Sequence, residues 1–337
     1  MRKTTIEEVA ALARVSIKTV SRVINDEPNV RDTTRLKVRD AIDRLEYRPD
    51  QSARRLAGAR SYLVGLLYDN PSASYVIDVQ SGVLDRCRAE NYEILINPCD
   101  YKNHALCAEI ENLVRHARLD GLILTPPLSD HQELVSMLRK QLIPFVMVAP
   151  PNQSDPARSV FTNDRDVCRE MTRYLASLGH ERIGYIIGHP DHGAVGARYR
   201  GYQEGLSGAG IRFRKGLIGQ GYNSYISGEE AARQLLKRKV RPTAIFAGND
   251  EMAAGAMKAA HEMGLTIPGD LSVAGFDDVP LASHSWPSLT TIRQPIRAMS
   301  EKAADILLNQ IRGEPVNGLQ MIPSVMVIRD STGPIGG

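Results

Sequence analysis

Lys18 and Arg22 stand four residues apart, so a helix would place them one turn apart on one face, with Ser21 and Asn25 close by. That set suits reading a nucleic acid. Two cations on one face can enter one major groove and donate hydrogen bonds to guanine edges, while a hydroxyl and an amide reach backbone or a further base. The helical pattern alone fits equally well a small bundle with a solvated polar face. Other chemistry is poorly supported. His189-Pro-Asp-His192 could hold a metal, but the loop offers no clear third ligand. His261-Glu262 opens like a zinc-protease helix, yet Leu265 occupies the place of the second histidine. Gly196 and Gly201 have phosphate-loop spacing, but Tyr202 follows where a lysine is needed, and Gly208-Ala-Gly210 reads as a helix-end turn. Cys87, Cys99, Cys107 and Cys168 form no C-x-x-C pair and are expected to be idle thiols in a reducing compartment. No metal, cofactor or catalytic residue is expected.

The elements that must position Lys18 and Arg22 are legible around them. Thr5-Ile-Glu-Glu8 has capping-box spacing, and Ile6, Val9, Ala10 and Ala13 then form one apolar helical face. Ser16 is a good cap for a second helix whose inward side is expected to be Ile17, Val20 and Ile24. A third helix starts near Asp32, burying Val38, Ala41, Ile42 and Leu45; Arg31 is a poor cap, and Asp32 supplies the negative first turn. Two short helices joined by a tight turn and braced by a third make a helix-turn-helix. Charge agrees with this. Residues 1–60 hold 14 Lys and Arg against 9 Asp and Glu, a net +5 in a chain that nets +3, so the remaining residues net −2.

The 337 residues exceed one ordinary core. From Ser61 onward apolar runs alternate with amphipathic stretches. Residues 62–67, 93–96, 121–124, 144–148 and 160–162 read as strands of one unit; 182–187, 243–247 and 272–276 anchor a second, with a further strand near Leu217. Segments 164–178, 228–238, 250–263 and 295–312 read as helices. Nearly continuous apolar strands with helical crossovers mean parallel sheets covered on both faces, and two such units imply two α/β lobes with a ligand cleft between them. No apolar run is long enough to span a bilayer, and acidic residues follow Arg2-Lys3 where a signal peptide needs an apolar stretch, so a cytoplasmic chain without membrane association is expected.

Val15-Ser-Ile-Lys-Thr-Val-Ser-Arg-Val-Ile-Asn25, followed by Tyr47-Arg-Pro-Asp-Gln-Ser-Ala-Arg-Arg-Leu-Ala-Gly58, strongly resembles the lactose-repressor (LacI/GalR) family over nearly the whole chain. The resemblance implies a recognition helix at about residues 17–24 and a hinge helix at about 50–58 that orders in the minor groove of an operator. It implies DNA contacts from Thr5, Ser16, Ile17, Lys18, Thr19, Ser21, Arg22 and Asn25. In the hinge, Ala53 packs closely, Arg54 and Arg55 lie near phosphates, and Leu56 wedges between base pairs. The implied organisation is a helix-turn-helix domain at 1–46, a hinge and linker at 47–60, and a periplasmic-binding-protein-like effector domain at 61–337. Its first lobe takes about 61–162 and 293–322, its second about 163–292 and 323–335, with three crossing strands between them.

The body motifs are Ala197-Arg-Tyr-Arg-Gly-Tyr202, Phe246-Ala-Gly-Asn-Asp-Glu-Met-Ala-Ala254, Val273-Ala-Gly-Phe-Asp-Asp278 and Leu289-Thr-Thr-Ile-Arg-Gln-Pro295. By resemblance Arg198, Asn249 and Asp277 face the cleft and bond the effector, with Gln294 near a crossing strand. That chemistry suits a polyol, since a carboxylate accepts from two neighbouring hydroxyls while Arg and Asn donate. Tyr75 could stack on an apolar sugar or base face. Three positions depart from the family. Asn223 stands where an aromatic is frequent, Ala149 where some sugar-responsive members are acidic, and His192 where purine-responsive members carry arginine. The expectation is a repressor of carbohydrate-use genes, released from a pseudo-palindromic DNA operator by a sugar effector. A nucleoside or purine effector, or a corepressor, is the alternative. The chain runs out just after its last strand, without leucine heptads, so a homodimer is expected rather than a tetramer. A transporter's solute-binding protein needs a signal peptide and no basic module. A sugar-modifying enzyme needs a base with a phosphate or metal site.

Overall fold

Thr5 and Glu8 close the expected capping box. The Thr5 amide donates to Glu8 Oε2 at 3.0 Å and the Glu8 amide to Thr5 Oγ1 at 3.4 Å, launching α1 (Ile6–Ala13). In the computed structural model this helix opens a chain described over residues 4–24, 30–47, 60–70, 72–151, 154–316 and 320–335. The chain divides into two units, Met1–Ser61 and Tyr62–Gly337.

In the first unit, Ser16 Oγ accepts the Thr19 amide at 3.1 Å and starts α2 (Ile17–Ile24). The helix α3 (Asp32–Arg44) begins with no side-chain cap from Arg31 and with Asp32 in its first turn. Val9, Ala10 and Ala13 of α1, Val20 and Val23 of α2, and Val38 and Ala41 of α3 make the core. One expectation is corrected here. Ile17 is 47% exposed and Ile24 only half-buried, whereas Val23 is buried. The run Ile17-Lys-Thr-Val-Ser-Arg-Val-Ile24 permits two apolar stripes, and contact with both α1 and α3 selects the one centred on Val20 and Val23.

The second unit holds two parallel sheets. The first, ordered β2-β1-β3-β4-β5, consists of β1 (Leu63–Tyr68), β2 (Glu93–Pro98), β3 (Gly121–Leu124), β4 (Phe145–Val148) and β5 (Ser159–Val160). The second, ordered β7-β6-β8-β9, consists of β6 (Ile183–Ile187), β7 (Ile218–Gln220), β8 (Ala244–Ala247) and β9 (Ser272–Ala274). The central strands β3, β4 and β8 are buried at every residue, as strands covered on both faces must be. Expected strand ends differ by one or two residues. The strand expected at 160–162 closes at Val160, that at 272–276 closes at Ala274, and the one near Leu217 occupies Ile218–Gln220.

Helices α4 (Ala73–Ala89), α5 (Leu106–Ala117) and α6 (Gln132–Lys140) belong to the first lobe, and α7 (Asp164–Ser177), α8 (Ala194–Gly208), α9 (Tyr225–Leu236), α10 (Asp250–Glu262) and α11 (Pro280–His284) to the second. The late helix α12 (Ile296–Arg312) returns to the first lobe and packs on α4, β3 and β4. Among the described residues the chain therefore crosses between lobes three times. The crossings lie side by side: β10 (Thr291–Arg293) pairs antiparallel with β11 (Val325–Val327), Phe161 bridges Met321, and the Ser324 amide donates to Asn163 Oδ1 at 2.7 Å. Asp250, buried at the head of α10, accepts from Thr291 Oγ1 and from the Val279 amide, fastening one crossing to the second lobe.

Candidate effector cleft and DNA-reading helix

Parallel strands deliver their C-terminal loops to one edge, and both sheets aim those edges at the same cleft. From the first lobe come Asn70, Ser72 and Tyr75 after β1, Pro126 after β3 and Ala149 after β4. From the second come His192 and Val195 after β6, Asn223 after β7, Asn249 after β8 and Asp277 after β9, with Arg198 from the first turns of α8 and Gln294 from a crossing. The cleft is narrow, with a cavity of about 70 Å³ that opens to solvent.

Arg198 is the cleft's fixed cation. Its Nε donates to Asp164 Oδ2 at 2.9 Å, its Nη1 to the Gly248 carbonyl at 2.9 Å, and its guanidinium lies 3.6 Å from the centre of the Phe276 ring. Asp277 Oδ1 is 4.0 Å from Nη1, too far for a hydrogen bond. Among the described residues the Asp277 carboxyl has no hydrogen-bond donor, and burial pushes it up to about 7 against the opposing pull of Arg198. Its backbone is strained, with φ of 119°, and Ala149 and Asn223 on the same cleft also have positive φ, 47° and 61°. The Gln294 side-chain amide, although the residue is buried, likewise has no partner among the described residues. Among the described residues an acceptor and a donor–acceptor amide thus stand without hydrogen-bond partners beside a cation held in place.

The other residues are more committed. Asn249 caps α10: its Oδ1 accepts the Met252 amide at 2.9 Å and its Nδ2 donates to the Asn223 carbonyl at 3.0 Å, leaving one Nδ2 hydrogen for a ligand. Ser72 caps α4 by accepting the Tyr75 amide, which sets Tyr75 half-buried at the cleft. Burial, then Asp277, raises the Tyr75 phenol far above its ordinary value, so it enters as a neutral hydroxyl. Burial, then His189 and Arg198, lowers His192 to about 4, so its imidazole is neutral. Tyr75, Arg198, Asn249, Asp277 and Gln294, expected at the cleft, are all in its lining, and Asp164, which no sequence motif marks, orients Arg198. Only its place two residues after Thr162 at a helix start could have marked it, and that pattern reads as a cap.

In the first unit Lys18 and Arg22 lie one turn apart on α2, Lys18 exposed and Arg22 half-buried. Ile17 is exposed next to Lys18, and Ser16 Oγ and Thr19 Oγ1 are 2.9 Å apart, pinning the start of the helix. Ser21 is half-buried and Thr5 is spent on the α1 cap. Asn25, Ala53, Arg54, Arg55 and Leu56, with the expected hinge helix, lie outside the described residues. Among the described residues no group of three or more His, Cys, Asp or Glu could hold a metal, and no helix is long and apolar enough to cross a membrane.

A three-helix unit presenting a basic helix, on the same chain as a two-lobed cleft lined by unpaired polar groups, defines a ligand-controlled DNA-binding regulator. Residues 5–50 match the family model for bacterial regulatory proteins of the lacI family, and residues 172–332 match that for the periplasmic binding protein-like domain. The catabolite control protein A of Priestia megaterium is 32% identical over 97% of this chain and 99% of its own. The HTH-type transcriptional repressor PurR of Erwinia tasmaniensis is 35% identical over 96% of this chain and 95% of its own. Among solved structures, the lac repressor dimer bound to operator and an anti-inducer superposes with a TM-score of 0.78 at 30% identity, covering 98% of this chain and 100% of that one. A complex of the transcriptional regulator CelR with cellobiose superposes with a TM-score of 0.74 at 28% identity, with the same coverage of both chains. The chain belongs to the lacI family of bacterial regulatory proteins.

Proposed function

We propose that the chain represses carbohydrate-use genes in the cytoplasm as a homodimer and leaves a pseudo-palindromic operator when a sugar enters the cleft. The observation that carries this is the Asp277 carboxyl, half-buried, strained and without a hydrogen-bond donor among the described residues, beside the Gln294 amide, likewise without a partner among them, and the fixed Arg198 guanidinium. A pyranose offers what that set lacks. Two adjacent hydroxyls donate to Asp277, a ring or hydroxyl oxygen accepts from Arg198, and the apolar sugar face lies against Tyr75. Asn249 adds one donor. On the DNA side, Lys18 and Arg22 read base edges and Ser21 lies beside them, while Thr5, Ser16, Ile17 and Thr19 position α2 (Ile17–Ile24) or touch backbone. The roles of Asn25, Ala53, Arg54, Arg55 and Leu56 rest on the family resemblance alone.

The protein acts by binding rather than by catalysis. Among the described residues the cleft holds no nucleophile–base pair, and its carboxyl and its cation are ligand-binding groups. A purine effector is a second reading, favoured by the 35% identity to the HTH-type transcriptional repressor PurR. Against it, His192 is neutral and gives a purine no fixed charge. Fluorescence anisotropy of a duplex from the protein's own upstream region, titrated with and without sugars and purine bases, tests the reading. A sugar should weaken binding by about 5–150-fold. Release by a purine alone selects the second reading, and tightening by either class makes the ligand a corepressor.

A further inference from the structure

The four parallel strands of the second lobe have another edge, where the chain enters them. Two loops there are strongly basic: Ile211-Arg-Phe-Arg-Lys215, ahead of β7, and Lys237-Arg-Lys-Val-Arg241, ahead of β8. Arg182, ahead of β6, donates from Nε to the Arg241 carbonyl at 3.0 Å, and the Arg238 guanidinium lies against Gly216, so the loops are neighbours. Arg173 lines an open hollow at this edge together with Arg212 and Arg214. None of these cations forms an ion pair among the described residues; the carboxylates close by are Glu181, which lines the same hollow, and Asp270, which feels Arg241 but bonds Thr266. The surrounding chain from residue 61 onward nets −2, so the charge is concentrated here against the balance of its own body.

Helix ends explain part of it. In a parallel α/β lobe the helices finish where the strands begin, and cations in the last turn of a helix offset its dipole. Arg173 and Lys237 fit that role, but the effect fades within a turn and does not reach Arg212, Arg214, Lys215, Lys239 or Arg241. Holding so many like charges together costs self-repulsion, which a polyanion relieves. A protein partner needs an apolar centre that excludes water, and the exposed apolar residues here, Phe213 and Val240, are single side chains inside basic runs. A phosphate backbone needs only charge, and planar guanidinium forks suit it.

We propose that this edge of the second lobe is a sequence-independent surface for the phosphate backbone of duplex nucleic acid, separate from the base-reading helix α2. The test uses the full chain and a random-sequence 30-base-pair duplex, with affinity measured from about 50 to 200 mM salt. Neutralising three cations, as Arg212→Gln/Arg214→Gln/Lys239→Gln, should make the slope of log K against log salt shallower by about 2.7, so that affinity falls about 40-fold less over that range. Arg212→Lys/Arg214→Lys, which keeps the charge, should retain the wild-type slope. Unchanged slope and affinity in the triple variant would overturn the proposal. So would poly-glutamate binding the wild type more tightly than the duplex at equal salt and losing that preference in the triple variant, which would mark the edge as a seat for an acidic protein.

Discussion

Arg198 and Asp277 divide the work of the cleft between a satisfied charge and an unsatisfied one. Arg198 is held by Asp164, the Gly248 carbonyl and the Phe276 ring, so it costs no reorganisation when a ligand arrives. Removing it, as Arg198→Met, strands Asp164 and Asp277 in a buried site. Urea unfolding should show a loss of about 3–5 kcal/mol, and a loss under 1 kcal/mol would contradict the role given to this cation. Asp277 gives a pH signature. Its carboxyl sits near 7 because burial favours the neutral form. The folded state thus holds this proton more tightly than the unfolded chain, and the resulting stabilisation is complete below the ordinary carboxylate range and lost as pH rises through about 7. A ligand whose hydroxyls donate to the carboxylate runs the other way, because it selects the ionised form and expels the proton. Calorimetry should find effector affinity about tenfold tighter at pH 8 than at pH 6, with proton release near pH 7. Affinity that weakens with pH would mean the neutral acid is the binding form. At this scale the sequence was informative where a motif named the residue, as for Asp277 in Val-Ala-Gly-Phe-Asp-Asp. It was silent on Asp164, whose contact with Arg198 spans 34 residues and exists only once α7 and α8 pack.

Helix α2 shows how local signals and packing share the decision. Its start was legible, since Ser16 caps it as its side chain dictates. Its facing was not, because two apolar stripes overlap in eight residues and only the neighbours choose between them. The choice exposes Ile17 next to Lys18 at the start of the helix. Lys18→Ala should cost about 1–3 kcal/mol of operator affinity and relax one operator position, measured by anisotropy across single-base operator variants. An equal loss on every variant would make Lys18 a phosphate contact. The long strands of the lobes were readable within a residue or two as apolar runs. The crossing strands are implied by the family resemblance, but the residues of β10 and β11 carry no signal of their own. Three residues are too few for a period, and their pairing joins segments more than thirty residues apart.

The lobes meet at their mouth as well as at the crossings. Tyr101 of the first lobe donates from its hydroxyl to Asp191 Oδ2 of the second at 2.6 Å, and the Gly193 amide donates to Asp130 Oδ2 at 2.7 Å. These contacts close over the cleft, so their strength adds to ligand binding in the closed form. Tyr101→Phe/Asp130→Ala should weaken effector binding about 3–30-fold by calorimetry, two ordinary hydrogen bonds, with operator affinity of the ligand-free protein unchanged. An unaltered effector affinity would show that the mouth contacts are indifferent to the ligand.

If the Asp277 carboxyl is the seat of a polyhydroxyl effector, thermal unfolding of the wild type and Asp277→Asn against a panel of sugars will show it. Asn keeps the shape of the side chain and removes a half-buried carboxyl that accepts no hydrogen bond from a described residue, so the ligand-free variant should melt no lower than the wild type. At a hundredfold excess over its Kd, the cognate sugar should raise the wild-type Tm by about 5–10 °C and the variant by less than about 1 °C. A panel that shifts neither protein, or a sugar that raises both equally, would contradict the account.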